Sequence, residues 1–217
     1  MFTITLTIII LTCLVSIAAF SNQKIQEDLI FWPAAMNRNG QYYRFLTYGF
    51  IHADYMHLAF NMLSLWSLGQ ALEKTNPRLG NISYETLFED KARLYYALLY
   101  LLAIIICTLP DYFKNRTNYS YRALGASGAV SAVIFSAIVL EPKMGLGLFF
   151  IPIPIPGYIF GLLFLIVSTY LARKGGDNIG HGAHVTGAVF GLIFTIVAAK
   201  LASNYDVMGE FVRALQR

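Results

Sequence analysis

Apolar and polar positions fall in long blocks along this chain. Six apolar runs, about 2–20, 55–72, 94–109, 123–140, 158–172 and 179–199, are separated by polar stretches. The run from Ala123 to Leu140 lies between Arg122 and Glu141 and holds 18 residues, about 27 Å of helix. That approaches the ~30 Å thickness of a bilayer's hydrocarbon core. The pattern predicts an all-α membrane protein of six transmembrane helices, a single polytopic domain over residues 1–217. The first run has no Lys or Arg before it, so an uncleaved first helix is expected rather than a signal peptide.

The connections differ in character. Residues 21–53 combine Lys24, Glu27 and Asp28 with Phe31-Trp32-Pro33 and Tyr42-Tyr43-Arg44. This is too polar to span and too aromatic for a solvated loop, which predicts an interfacial, partly membrane-embedded loop. Residues 73–93 form a polar connector with eight charged positions, Pro77 and Gly80. Pro110-Asp111 is expected to end the third span, and a polar loop then runs to Arg122. Pro152, Pro154 and Pro156 exclude regular helix and predict an extended apolar entry to the fifth helix. Arg173 to Asn178 reads as a turn, and the tail after Leu201 as short.

Composition supports the membrane reading. The chain is 57% hydrophobic and 13% charged, with a mean hydropathy of +0.56. Soluble domains run near 45–50% apolar and about 25% charged. No room is left for a sizeable soluble domain. The net charge of +4 includes no basic run, so nucleic-acid binding is not indicated. Cys13 and Cys107 lie in apolar runs and read as buried thiols, not a disulfide. Charge bias gives no orientation: eight Lys and Arg fall on each side of the six spans.

Candidate chemistry comes from polar residues inside the spans. Spans two, four and six enter the membrane from one face. His57 and Asn61 follow Asp54 by three and seven residues, Ser127 follows Arg122 by five, and His184 follows Asp177 by seven. At ~1.5 Å per residue these depths are roughly 4 to 11 Å, so the four side chains share one membrane layer. Polar groups there are costly unless they face the bundle interior or water. His57 and Asn61, at i and i+4, lie on one helix face. Gly125, Ala126, Gly128 and Ala129 surround Ser127, while Gly187 and Gly191 come after His184. Such small-residue seams let membrane helices approach closely, whether for packing alone or to join a serine to a histidine. A serine and a histidine that meet supply a nucleophile and a base.

Gly125-Ala126-Ser127-Gly128 resembles the GxSG motif of rhomboid intramembrane serine proteases. His184-Val185-Thr186-Gly187, completed by Gly191, is similar to that family's sixth-helix histidine motif. His52, His57 and Asn61 resemble its second-helix motif, and Tyr43-Arg44 stands where the family usually shows Trp-Arg. The resemblance covers the whole six-helix core in order. It implies a rhomboid-like bundle with a water-filled cavity open to the outer face and a mobile fifth helix. It implies a Ser127–His184 dyad, with oxyanion donors from His57, Asn61 and the Ser127 backbone N–H. No Asp or Glu lies in spans two, four or six, which suits a dyad. Gly125 and Gly128 are assigned to backbone geometry and packing, His52 to bracing the first loop, and Arg44 to lipid headgroups or loop hydrogen bonds. His181, where some relatives carry Asn, is left between substrate contact and helix capping. Ser131 stands where well-known relatives have a Tyr stacked on the catalytic histidine.

The expected function is a serine endopeptidase cutting single-span membrane proteins, with no cofactor and no metal. Its partners are transmembrane substrates and the bilayer, and its oligomeric state is open. A multi-pass bacterial inner-membrane location is expected. Two rivals remain: a catalytically silent rhomboid-like chaperone or transporter, and a metal or haem protein using His52, His57, His181 and His184. The second lacks HExxH and cysteine ligands. A soluble serine hydrolase is excluded by the spans and by Ala129, which breaks GxSxG.

Overall fold

A computed structural model describes residues 2–76, 81–148, 151–174 and 180–216. Pro77, Gly80, Phe149, Phe150 and the segment 175–179, with most of the expected turn and Asp177, lie outside the described residues.

Helix α1 (Ile4–Ser21) is capped by the Thr3 hydroxyl, which accepts from the Leu6 N–H. Its buried face is small and polar (Thr5, Thr12, Ser16, Ala19), while Leu11, Leu14 and Ile17 face outward. This inverts a soluble helix and suits a lipid-facing one. Asn22 ends α1 and caps α2 (Gln23–Leu29) by accepting from Lys24 and Ile25 N–H groups. Then come α3 (Pro33–Asn39), stopped by Gly40 at φ +67°, α4 (Arg44–Thr47) and a 3-10 turn, Tyr48–Phe50. The loop between the first two spans is therefore mostly short helices. Arg44, 4% exposed, ties it together through the carbonyls of Glu27 and Ile30 and the side chain of Gln41. Of its two expected roles, the structure gives loop hydrogen bonds.

Helix α5 (Tyr55–Glu73) starts at an Asp54 cap and ends at a buried Glu73. That carboxylate accepts from the Ile4 and Thr5 N–H groups at 2.6 and 2.8 Å and from the Thr5 hydroxyl. The start of α1 is thereby fastened to the end of α5, with the negative charge at the positive pole of a helix. Short α6 (Tyr84–Phe88) precedes α7 (Ala92–Asn115).

Two expectations need correction here. The third span does not stop before Pro110, since α7 runs through it to Asn115. Pro110 removes only the N–H that would bond the Ile106 carbonyl, and the helix continues on both sides of it. In the preceding turn the Tyr48 and Thr108 hydroxyls also donate to the carbonyls of Ile104 and Ile105. The fourth helix does not begin at Ala123, since α8 is Ser127–Leu140. Ala123 instead exchanges both backbone hydrogen bonds with Phe31, each 3.0 Å, and Gly125 turns the chain at φ +109°. Glycine adopts that φ without the steric cost other residues bear.

Helix α8 is the axis of the bundle, with every residue from Gly128 to Leu140 buried. After it, β1 (Gly145–Leu148) pairs antiparallel with β2 (Ile151–Pro156). The proline-rich entry is extended as expected, but as one strand of a hairpin. The hairpin leads into α9 (Gly157–Lys174), whose first N–H groups bond to the Met144 and Pro142 carbonyls. Helix α10 (His181–Ser203) packs along α8, and α11 (Val207–Gln216) comes after Asn204. The stretch expected as a short tail from Leu201 is instead largely helical: α10 continues to Ser203, and amphipathic α11 succeeds it. Helices α1, α5, α7, α8, α9 and α10 correspond to the six expected spans and pack as a bundle. Among the described residues Ile4–Ser21, Tyr84–Asn115, Gly157–Lys174 and His181–Ser203 are long and apolar enough to cross a membrane, and Ser127–Leu140 is a shorter apolar helix.

Close approach of α8 and α10 depends on missing side chains. A Cβ on Gly187 would overlap the Gly128 carbonyl oxygen, and one on Gly191 that of Ala132. A Cβ on Gly128 would come within 2.5 Å of the Cys107 sulfur on α7.

Candidate active site

Ser127 is the first residue of α8, not a residue within it. Its position is set by the extended segment before it, held by Phe31 and turned by Gly125. The first-turn N–H groups of a helix have no partner inside the helix and form the positive pole of its dipole. His184 lies one turn into α10, and its Nε2 is 2.7 Å from the Ser127 Oγ. Two residues 57 apart in sequence thus share a hydrogen bond of the length proton transfer requires.

Both side chains line a cavity of about 840 Å³ that also takes in His57, Asn61, Asp54, Asp111, Tyr121 and Arg122. His57 packs beside Gly125: an added Cβ there would lie 2.7 Å from Cε1 and 3.0 Å from Nε2 of the ring. The Ala53 N–H points at His57 Nδ1 at 3.5 Å, while Asp54 caps the His57 N–H at 2.7 Å. With Nδ1 accepting, a neutral ring carries its proton on Nε2. Asn61 donates one amide N–H to the His57 carbonyl at 2.9 Å, and its NH2 group carries a second.

His52 is fully buried beneath this layer. Its Nδ1 is 3.0 Å from the Ser16 Oγ, which donates to the Phe50 carbonyl, and its Nε2 accepts from the Ala126 N–H at 3.4 Å. It links α1, the chain before α5 and the residue before Ser127, a wider span than the first loop alone. Arg44, Gly187 and Gly191 lie away from the cavity, in the first loop and along the α8–α10 seam. His181 opens α10, buried, with its ring edge-on to His184 at 5.8 Å. Ser131 directs its hydroxyl to the Ser127 carbonyl at 2.9 Å.

Three features in or beside the cavity escaped the sequence reading. Phe164 on α9 packs against the His184 ring, centroids 6.1 Å apart. Asp111 and Tyr121 share the cavity wall, and burial, with the facing Asp111 carboxylate as the second cause, pushes the Tyr121 hydroxyl above its ordinary range. Arg122 lies over the Trp32 ring at 4.3 Å. No spacing signalled them: Phe160 and Phe164, at i and i+4, share a face of α9, but that says nothing of which residue the face meets. Among the described residues no group of three or more His, Cys, Asp or Glu is arranged to hold a metal ion.

A family model described as the Rhomboid domain matches residues 39–201. The chain is 24% identical over 200 residues to rhomboid protease GlpG of Haemophilus influenzae, covering 90% of this chain and 92% of that one. It is 29% identical to RHOMBOID-like protein 12, mitochondrial, and 26% identical to Rhomboid-like protein 15, both of Arabidopsis thaliana. Those matches cover 70% and 68% of this chain but span 45% and 36% of the two plant proteins.

Proposed function

The chain belongs to the Rhomboid domain family, and on that premise we propose that it is an intramembrane serine endopeptidase. The observation that carries the reading is the 2.7 Å Ser127–His184 hydrogen bond inside a cavity sunk in the helix bundle. The family is membrane-embedded, which puts that cavity within a bilayer, in our reading a bacterial inner membrane.

Ser127 Oγ attacks the carbonyl carbon of the scissile peptide, and its proton passes to His184 Nε2. In this reading the carbonyl oxygen becomes an oxyanion at the positive pole of α8, and the Ser127 N–H, His57 Nε2–H and the second Asn61 N–H, whose residues line the same cavity, are its donors. A single donor of this kind lowers the barrier by about 2.7–4 kcal/mol. His184 returns the proton to the leaving nitrogen as the C–N bond breaks, which leaves an acyl-serine. Water then repeats the sequence, giving its proton to His184 and releasing the acid. The Gly187–Gly128 seam holds the two helices in register for both transfers.

The substrates are single-span membrane proteins, cut near the outer interface at small residues in a helix-destabilised segment. A peptide bond in a helix is shielded by its own hydrogen bonds, so a segment that unwinds is needed. The test is cleavage of a single-span substrate in detergent or proteoliposomes. Wild type should cut it, while folded Ser127→Ala and His184→Ala should not. Cleavage by either variant would sink the assignment. A folded wild type inert on a panel of such substrates and on fluorophosphonates would favour a silent family member.

A further inference from the structure

The imidazole of His184 touches an aromatic ring from a different helix. Phe164 of α9 faces it with centroids 6.1 Å apart and planes at 35°. Two more rings hold Phe164 in place: Phe135 of α8 at 5.5 Å, and Phe160, one turn earlier on α9, at 5.9 Å. Offset aromatic pairs at such separations attract beyond the area they bury. Ser131, one turn after Ser127, supplies no ring, and its hydroxyl is engaged with the Ser127 carbonyl. His181, on the same helix as the base, meets it edge-on.

We propose that Phe164 is a positioning residue, holding the His184 ring in the rotamer that aims Nε2 at the Ser127 hydroxyl. This rests on the serine endopeptidase reading above. The consequence is a coupling between helix and chemistry. Helix α9 buries only Gly157, Gly161 and Ser168 fully, while Leu162, Leu163, Ile166, Val167 and Tyr170 face outward. It is thinly held, yet it carries a ring that fixes the base. The alignment of His184 therefore depends on α9 lying against α8 and α10, where Phe135 and His184 meet Phe164.

The experiment measures fluorophosphonate labelling of purified wild type, Phe164→Ala, Phe164→Tyr and the lipid-facing control Ile166→Ala. Labelling of Phe164→Ala should slow about 3- to 10-fold, the factor an aromatic pair supports. With a single-span substrate kcat should fall by a similar factor and KM stay within about twofold. Phe164→Tyr, which keeps the ring, and Ile166→Ala should match wild type. Histidine NMR of Phe164→Ala should show the His184 ring populating a second rotamer. Labelling of Phe164→Ala at the wild-type rate would overturn the inference. Faster labelling would also overturn it, making Phe164 a plug before the site. If Phe164→Ala does not stay folded, Phe164→Leu decides on the same terms, since it keeps volume without the ring. A labelled wild type beside an unchanged variant removes this inference alone. An unlabelled wild type removes the endopeptidase reading as well.

Discussion

Gly187→Ala tests the geometry with a single methyl group. The added Cβ overlaps the Gly128 carbonyl oxygen and stands 2.8 Å from its carbon and 3.2 Å from its Cα. A carbon–oxygen contact relaxes only near ~3.3 Å, so α10 must withdraw from α8 by about 1 Å at that level. Gly128 is the residue after Ser127, and Gly187 lies three after His184. The displacement therefore falls on the dyad. A 2.7 Å bond has only about 0.5 Å of slack before it leaves proton-transfer range. A misplacement of ~1 Å costs on the order of 100-fold in rate. Overpacking of this kind destabilises by about 1–3 kcal/mol. Both quantities should be measured together, as kcat on a single-span substrate and as the thermal midpoint in detergent. Gly191→Ala meets the Ala132 carbonyl one turn deeper and should cost similar stability with a smaller rate loss. Gly182→Ala meets nothing within 4 Å and should change neither. Gly187→Ala cleaving within about twofold of wild type would refute the reasoning.

Three further outcomes are expected. Arg44→Ala leaves the carbonyls of Glu27 and Ile30 without their buried partner and should cost about 2–4 kcal/mol in denaturant titration; Arg44→Lys, lacking the fork, should not restore it. Glu73→Ala removes the acceptor at the start of α1 and should cost about 2–3 kcal/mol, with faster amide exchange at Ile4 and Thr5. Asn61→Ala should lower kcat about 100-fold at unchanged thermal midpoint, read by cleavage kinetics, if its amide serves the oxyanion.

The six apolar runs foretold the bundle because each spanning helix must bury or face lipid along its length. What the runs concealed lies at their ends. Ala123 is as apolar as the residues after it, so the run could not reveal that Phe31, far away in sequence, claims its backbone and delays α8 to Ser127. Pro110 reads as a stop because its local cost is visible, whereas the continuation of α7 to Asn115 is not written in that local signal. The alternate prolines exclude helix on local grounds, whereas pairing with Gly145–Leu148 is a tertiary event. At the site, helix parity and depth placed His57, Asn61, Ser127 and His184 in one layer, and all four line one cavity. Rotation about a helix axis is not written in depth, which is why the contact of Phe164 with His184 could not be read beforehand.

The central claim is that one hydroxyl is made nucleophilic by one imidazole. Peptide mass mapping after fluorophosphonate treatment tests it without knowledge of the substrate. A single adduct on Ser127 is expected, none in Ser127→Ala, and labelling slowed at least about 100-fold in His184→Ala. A folded wild type that takes no adduct, an adduct on another serine, or His184→Ala labelled at the wild-type rate would contradict it.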